Sequence, residues 1–262
     1  MLSHVFKCIF VHIPKNGGTS ISRAFSPKGG KPSVPRAQDL DNAKSKYLTK
    51  HSTPDEYVQH LNVTTNRREW NPEEWFKFIS VRNPWDRLVS AFFFDVDRNC
   101  EDTLKNTTIK DSVLSRASTL PKFPSIHGRP KFHDWTRVPL KEKASLFQAF
   151  VREDLSEVIK DKERLMLRHQ SSWFMDDVFT YDYVIRFESL RAGWRRVWEI
   201  NKWTKDRDWT SPRKTLKWRR RGTARRKRHR PISYHAFYDV EAQGIVEDLY
   251  RDDIEKFGYT YK

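Results

Sequence analysis

The sequence predicts an α/β fold, a three-layer sandwich around a central and mostly parallel sheet. Two apolar runs, residues 5–12 and 75–81, each lead into a polar turn and then into a stretch with helical spacing. Strands that alternate with helices in this way usually pair in parallel, with the helices covering the sheet. A third apolar run, residues 183–187, extends the pattern. At 262 residues the chain is long enough for one core, so residues 1–262 are predicted to form a single domain.

The first strand, turn and helix have the features of an anion-binding site. Gly17 and Gly18 permit unusual backbone angles in the turn and leave backbone N–H groups accessible. Thr19 and Ser20 then open a helix, whose N-terminal dipole favours negative charge, and Lys15 adds a full positive charge. Because Lys15 precedes the glycines, the turn does not fit the spacing of nucleotide-triphosphatase loops.

The following segments lead to a histidine at a strand-to-helix junction. Residues 26–42 are rich in proline, glycine and charge and are predicted to form a surface loop, while residues 46–50 fit a short strand. Ser52 or Thr53 can cap the next helix, with Pro54 in its first turn. His51 therefore lies where α/β proteins place residues that face ligands, although a lone histidine is more often structural.

The second strand, turn and helix place an arginine and a serine near one another. Arg82 follows the strand, Pro84 suits the first position of a helix, and Ser90 lies about two turns further along. Arg82 and Ser90 are therefore predicted to meet one anionic group, with the arginine binding it as a bidentate fork. The alternative is that Arg82 forms an ion pair with Asp86.

The remainder of the chain continues the α/β pattern around a polar insertion. Residues 143–152 and 190–202 have helical apolar spacing, and residues 240–257 are predicted to form one closing helix. Residues 95–140 are polar and are predicted to form a substrate-side insertion with little regular structure. The candidates in it for the wall of an acceptor cleft are His127, His133 and Trp135, although surface positions are their more ordinary explanation.

The charge of the chain favours an anionic partner. The formal net charge is +16, which suits a nucleotide, a nucleic acid, an acidic glycan or a membrane surface. Eleven of the 18 residues 213–230 are Lys or Arg and none is acidic. Most of the excess charge therefore belongs to one segment, which is predicted to be a basic loop or arm.

The cysteine content argues against a protein stabilised by a disulfide framework, and the hydropathy argues against a membrane-spanning segment. Cys8 and Cys100 are the only cysteines, too few for a disulfide framework, and neither they nor His12 have metal-site spacing. No apolar run reaches membrane-spanning length, and the N-terminus lacks a signal sequence. A cytoplasmic protein is therefore expected, with the lumenal domain of a Golgi-type enzyme as the alternative.

These segments, taken in order, resemble the carbohydrate-type sulfotransferases (sulfotransferase family 2). Residues 10–20, FVHIPKNGGTS, are similar to the family's 5′-phosphosulfate loop, and residues 78–92, FISVRNPWDRLVSAF, to its 3′-phosphate segment. Residues 50–53, KHST, resemble its segment with the catalytic-base histidine. Residues 168–173, RHQSSW, and 183–190, YVIRFESL, look like its later glutamine-containing and Arg-Phe-Glu segments. The ending, with Tyr234, Tyr238 and residues 249–259, is also similar, so the resemblance spans nearly the whole chain.

The resemblance implies a nucleotide-kinase-like, P-loop-like topology and a definite reaction. In that reaction the sulfuryl group of 3′-phosphoadenosine 5′-phosphosulfate (PAPS) passes in line to an acceptor hydroxyl and leaves 3′,5′-ADP, without a required metal. Arg82 and Ser90 would hold the 3′-phosphate, and His51 would take the acceptor's proton. The 5′-phosphosulfate would be held by Lys15, which also stabilises the developing charge, and by the backbone N–H groups of Asn16, Gly17, Gly18, Thr19 and Ser20.

The identity of the acceptor stays open. A carbohydrate hydroxyl is expected, and the basic run 213–230 favours an anionic glycan, while a small phenol or natural product is the alternative. A nucleic-acid-binding protein would use the same run with Trp209, Trp218 and Tyr234, but that leaves the two phosphate motifs unexplained. A nucleotide kinase would need a lysine after the second glycine and an acidic partner for a metal, and neither is evident.

Overall fold

The computed structural model describes residues 1–3, 6–24, 48, 51–64, 71–99, 138–160, 165–178, 180–203 and 232–262. In these residues helices separate the three longer strands along the chain. The strands are β1 Leu2–Ser3, β2 Cys8–Val11, β3 Phe76–Val81 and β4 Tyr183–Arg186. The helices are α1 Gly18–Ala24, α2 Pro54–Thr64, α3 Pro84–Asn99, α4 Leu140–Glu153, α5 Leu155–Val158, α6 Leu190–Ile200, α7 Val240–Leu249 and α8 Arg251–Phe257.

The chain divides into two compact units. As far as they are described, the first consists of Met1–Arg82 with Gln170–Arg219, and the second of Asn83–His169 with Arg220–Lys262. The first unit contains the four strands with α1, α2 and α6. The second contains the five other helices.

The four strands of the first unit form one sheet in the order β1-β2-β3-β4. β2, β3 and β4 run parallel to each other, and the short β1 is antiparallel to β2. A parallel pair needs a long crossover between its strands, and the helical segments after β2 and after β3 supply it. The predicted α/β class with a mostly parallel sheet is confirmed.

Both faces of this sheet are buried at β2 and β3, whereas Val184 and Arg186 of β4 are exposed. Successive side chains of a strand point to opposite faces, yet all four residues of β2 are buried, and so are Phe78 and its neighbour Ile79 in β3. One face packs against α1 and α6 in a single cluster, whose fully buried members include Phe10, Ile21, Phe78, Ile185, Trp194 and Val197. A parallel sheet of this kind is an inner layer, and its strands accordingly are apolar almost throughout.

The second unit is a group of helices around aromatic side chains. Phe92 of α3 contacts Phe147 and Phe150 of α4, with ring centroids 5.5 Å and 5.1 Å apart. Helix α3 begins at Pro84, as the sequence predicts, and the Oδ1 atom of Asn83 caps it by accepting from the backbone N–H of Trp85 at 3.0 Å.

Two predicted elements differ in the structure. Helix α3 continues to Asn99, into the segment for which little regular structure was predicted. The predicted closing helix is two helices, because Tyr250 leaves the helical region at φ −111°, ψ 24°. Its ring is buried and its hydroxyl donates to the carbonyl of Leu167 at 2.8 Å, so a tertiary contact outweighs the continuous helical spacing.

Several predictions fall on residues that the structure does not describe. They are the loop 26–42, the strand 46–50 apart from Leu48, the rest of the insertion with His127, His133 and Trp135, and the basic run 213–230.

We predict opposite effects for alanine at two helical glycines. A Cβ atom at Gly193 in α6 would lie 2.7 Å from Cγ2 of Ile185 in β4, whereas one at Gly244 in α7 would meet no atom within 4 Å. Gly193→Ala should therefore lower the free energy of unfolding by about 1–2 kcal/mol through overpacking. Gly244→Ala should raise it by about 0.5–1 kcal/mol through helix propensity. Urea unfolding measures both, and equal effects would contradict the close packing of α6 on β4.

Candidate active site

The candidate site of the first unit lies at the carboxyl ends of its three parallel strands. Val11 of β2 pairs with Ile79 of β3, and Val81 of β3 pairs with Arg186 of β4, so the three strands end at one edge of the sheet. The residues that follow them are the loop 12–17, Arg82 and the 3₁₀ turn Phe187–Ser189. Open α/β sheets bind their ligands at this edge.

The loop after β2 is held in shape by its own backbone angles and by close packing. Lys15 and Gly17 both have left-handed backbone, with φ of 70° and 79°. A Cβ atom at Gly17 would lie 2.7 Å from Cδ2 of Leu190 and 3.0 Å from Cδ2 of Phe187. Glycine is therefore required there both by its conformation and by the space available.

Gly18, the first residue of α1, has a different constraint. A Cβ atom built there would lie 1.9 Å from Cδ2 of His12, so the imidazole of His12 occupies the space that any larger residue would need. His12 is 5 % exposed, and its ring stacks on Phe10 with a centroid distance of 5.7 Å. Only glycine at position 18 therefore leaves room for the His12 ring in this place.

The side chains predicted to bind an anion lie at the start of α1. Thr19 is exposed, and Lys15 and Ser20 are partly exposed, while no acidic residue lies in the first turn. The side chain of Asn16 instead is fully buried, and its Nδ2 atom donates to the carbonyl of Ser80 at 2.8 Å and to Oε1 of Gln170 at 2.7 Å. Only the backbone of Asn16 thus remains for the predicted anion contact.

Arg82 is held by its backbone and by its side chain. Oε1 of Gln170 accepts from the backbone N–H of Arg82 at 2.9 Å, and Nε2 of Gln170 donates to its carbonyl at 2.8 Å. The Nη1 atom of Arg82 donates to the carbonyl of Lys15 at 2.9 Å. The guanidinium carbon lies 4.1 Å from the centre of the Phe187 ring, a cation–π contact. Arg82 thus has a fixed position beside the loop.

His51 lies beside the same loop, ahead of α2. Its Nδ1 atom is 2.8 Å from the carbonyl oxygen of His12, and the two imidazole centroids are 4.6 Å apart. A carbonyl oxygen only accepts, so Nδ1 of His51 carries the proton and donates. In the neutral ring Nε2 is then the unprotonated nitrogen.

Helix α2 supports this position of His51. Thr53 precedes the helix, and its backbone N–H donates to Oε2 of Glu56 at 3.0 Å, which is half of a capping box. The sequence predicted Ser52 or Thr53 as the cap. The structure selects Thr53, whose carbonyl also accepts from the N–H of Tyr57 at 3.2 Å.

Ser90 belongs to the second unit, where it is partly buried on α3. Its predicted sharing of one anion with Arg82 stays a prediction. Among the remaining predicted site residues, Lys15, His51 and Arg82 all lie in the first unit, around the loop after β2.

Sequence reasoning missed the part played by Gln170. In the sequence it stands only within residues 168–173, which resemble a segment of the family. Its position after a stretch without strong helical or strand periodicity gave no sign of burial. A glutamine without exposed surface must have hydrogen-bonding partners, but the sequence does not identify them.

The described ranges contain no group of three or more His, Cys, Asp or Glu residues placed to bind a metal. Among the helices that the structure describes, none is long and apolar enough to span a membrane.

We predict that Gly18→Ala destabilises the first unit by displacing His12. The free energy of unfolding should fall by about 1–3 kcal/mol, the usual cost of overpacking a buried site. Removing the obstructing ring should relieve this cost, so His12→Ala combined with Gly18→Ala should be less destabilising than the two single changes summed. Urea unfolding of the four proteins measures the coupling. Strictly additive effects would contradict the contact.

Comparison with known proteins assigns the chain to a family. Searches of curated proteins and of solved structures each return no match. A match to the model described as "Sulfotransferase family" extends over residues 1–260, which includes every element of both units. It confirms the resemblance that the sequence motifs indicated, and it implies a P-loop-like fold and PAPS as the sulfuryl donor. The chain belongs to the sulfotransferase family, of the carbohydrate-sulfotransferase type.

Proposed function

We propose that this chain transfers the sulfuryl group of PAPS to a carbohydrate hydroxyl, with His51 as the general base. The observation that supports the base is the hydrogen bond from Nδ1 of His51 to the carbonyl of His12. It commits the proton of the neutral ring to Nδ1 and makes Nε2 the basic nitrogen of the ring. The ordinary pKa of histidine, about 6.5, makes such a ring a proton acceptor near neutral pH.

The residues around the loop fit an anionic donor. Lys15, Thr19 and Ser20 offer a charge and two hydroxyls at the start of α1, without an acidic residue in its first turn. Together with the backbone N–H groups of residues 16–20 they would hold the 5′-phosphosulfate. Arg82 would hold the 3′-phosphate, jointly with Ser90.

The mechanism requires three functions from the protein. PAPS, when bound, supplies a sulfuryl group attached to a phosphate that leaves with its charge. Lys15 places a positive charge where negative charge develops, and the backbone N–H groups beside it are already oriented. Arg82 orients the nucleotide from its other end. His51 accepts the proton of the acceptor hydroxyl at Nε2.

For the acceptor we propose an anionic glycan. The support is the charge of residues 213–230, eleven Lys or Arg without an acidic residue, a segment outside the described residues. Such a run raises the local concentration of a polyanion and speeds its arrival.

The first test concerns nucleotide recognition. Titration calorimetry should give tighter binding of 3′,5′-ADP than of 5′-ADP. Arg82→Ala should weaken 3′,5′-ADP binding about 30-fold, or ~2 kcal/mol, because a charged hydrogen-bonding partner is lost. Arg191→Ala, at an exposed position on α6, is the matched control and should bind like the wild type. An unchanged Kd in Arg82→Ala would refute the 3′-phosphate assignment.

The second test isolates the base. His51→Asn retains an amide N–H near the place of Nδ1, so the bond to the carbonyl of His12 and the fold should persist. Because no group corresponds to Nε2, kcat should fall about 100- to 10,000-fold, while the Kd of 3′,5′-ADP stays the same. Turnover close to that of the wild type would assign the base to another residue, and His127 and His133 would be tested next.

The third test concerns the acceptor. Arg219, Arg220, Arg221, Arg225, Arg226 and Arg228 are replaced together by glutamine, and transfer from labelled PAPS is measured on a panel of neutral and acidic glycans and phenols across a salt series. The KM of an anionic acceptor should rise and lose most of its salt dependence, while nucleotide affinity is retained. Transfer to phenols alone, or an unaltered salt dependence, would favour a neutral small-molecule acceptor.

A further inference from the structure

Gln170 supplies a backbone partner where β3 loses one. The parallel pairing of β3 ends at Val81, so the next peptide groups would leave the sheet unpaired. The side-chain amide of Gln170 supplies the hydrogen bonds that a neighbouring strand would otherwise make. Its Oε1 atom accepts from the backbone N–H of Arg82 at 2.9 Å, and its Nε2 atom donates to the carbonyl of Arg82 at 2.8 Å. This pair of bonds fixes the backbone of Arg82 and hence the direction in which its side chain leaves.

The same amide also holds the loop after β2. Its Oε1 atom accepts from Nδ2 of Asn16 at 2.7 Å, and Asn16 donates in addition to the carbonyl of Ser80 at 2.8 Å. An amide oxygen has two lone pairs, so it serves Asn16 and Arg82 at the same time. The Oε1 atom of Gln170 therefore connects the loop to the residue that follows β3.

A second hydrogen bond joins Arg82 to the loop after β2. Nη1 of Arg82 donates to the carbonyl of Lys15 at 2.9 Å, and Lys15 precedes Asn16 directly. The loop and the arginine thus each restrain the other, once through Gln170 and once through the guanidinium. Neither Asn16 nor Gln170 has any exposed surface, and buried hydrogen bonds of this kind are costly to break.

We propose that Gln170 is a positioning residue which sets the spacing between the Lys15 loop and Arg82. It thereby determines the preference of the site for a nucleotide that carries phosphate groups at both ends of its ribose. This inference rests on the proposed function of the loop and of Arg82 in holding the two ends of PAPS. Gln170 itself lies beneath these groups and acts through them.

The test uses Gln170→Met, which keeps the length of the side chain and removes its amide. Gln148→Met is the matched control, because Nε2 of Gln148 donates to the carbonyl of Phe237 at 3.2 Å in the second unit. For wild type and both variants, thermal unfolding gives the stability, and calorimetry gives the Kd of 3′,5′-ADP and of 5′-ADP. Gln170→Asn, which keeps an amide but shortens its reach, serves if the methionine variant does not fold.

Gln170→Met should weaken the binding of 3′,5′-ADP at least tenfold and reduce the ratio of the two nucleotide affinities by a similar factor. Gln148→Met should change the stability but leave this ratio as in the wild type. A purely structural role for Gln170 would lower Tm without altering the ratio, and that result, in either Gln170 variant, overturns the proposal.

A coupling measurement adds a second readout. If Asn16 acts on Arg82 through Gln170, Asn16→Ala should cost much less in 3′,5′-ADP affinity in the Gln170→Met background than in the wild type. Additive costs overturn the proposal. A wild-type protein that binds 5′-ADP as tightly as 3′,5′-ADP would instead refute the proposed function, so the two failures are distinguishable.

Discussion

The parallel pairing of β2, β3 and β4 is the constraint on which the candidate site depends. Parallel strands end on the same side of a sheet, so three segments that are distant in sequence reach one edge. The register, with Val11 beside Ile79 and Val81 beside Arg186, brings the loop with Lys15, the backbone of Arg82 and the ring of Phe187 together. A shift of one residue in this register would exchange the two faces of a strand and separate these groups.

Close packing then converts this juxtaposition into a defined geometry. Gly17 and Gly18 are small because neighbouring side chains fill the space beside them, namely Leu190 and Phe187 at one glycine and His12 at the other. His12 in turn offers its carbonyl to His51. The loop is therefore connected to the imidazole that we propose as the base, by a steric contact between Gly18 and His12 and by the hydrogen bond from His51 to His12.

The sequence was sufficient to predict most of the architecture of the first unit. Strands with apolar side chains on both faces, the turn with two glycines and the helix starts at Pro54 and Pro84 all follow from local patterns. Local patterns do not predict the tertiary hydrogen bonds. Nothing near Tyr250 predicts that its hydroxyl reaches Leu167 and interrupts a helix, and nothing near Gln170 indicates that it pairs with the backbone of Arg82. Each of these contacts joins residues more than 80 positions apart.

The fixed position of Arg82 has a thermodynamic consequence. A free arginine side chain loses about 2 kcal/mol of rotamer entropy when it becomes ordered. Here the guanidinium already lies over Phe187 and donates to Lys15, so most of that loss is met during folding. Anion binding then requires little further ordering of the Arg82 side chain. The free energy of anion binding should therefore contain only a small conformational-entropy penalty from Arg82. The selectivity of the site should then depend on geometry more than on charge.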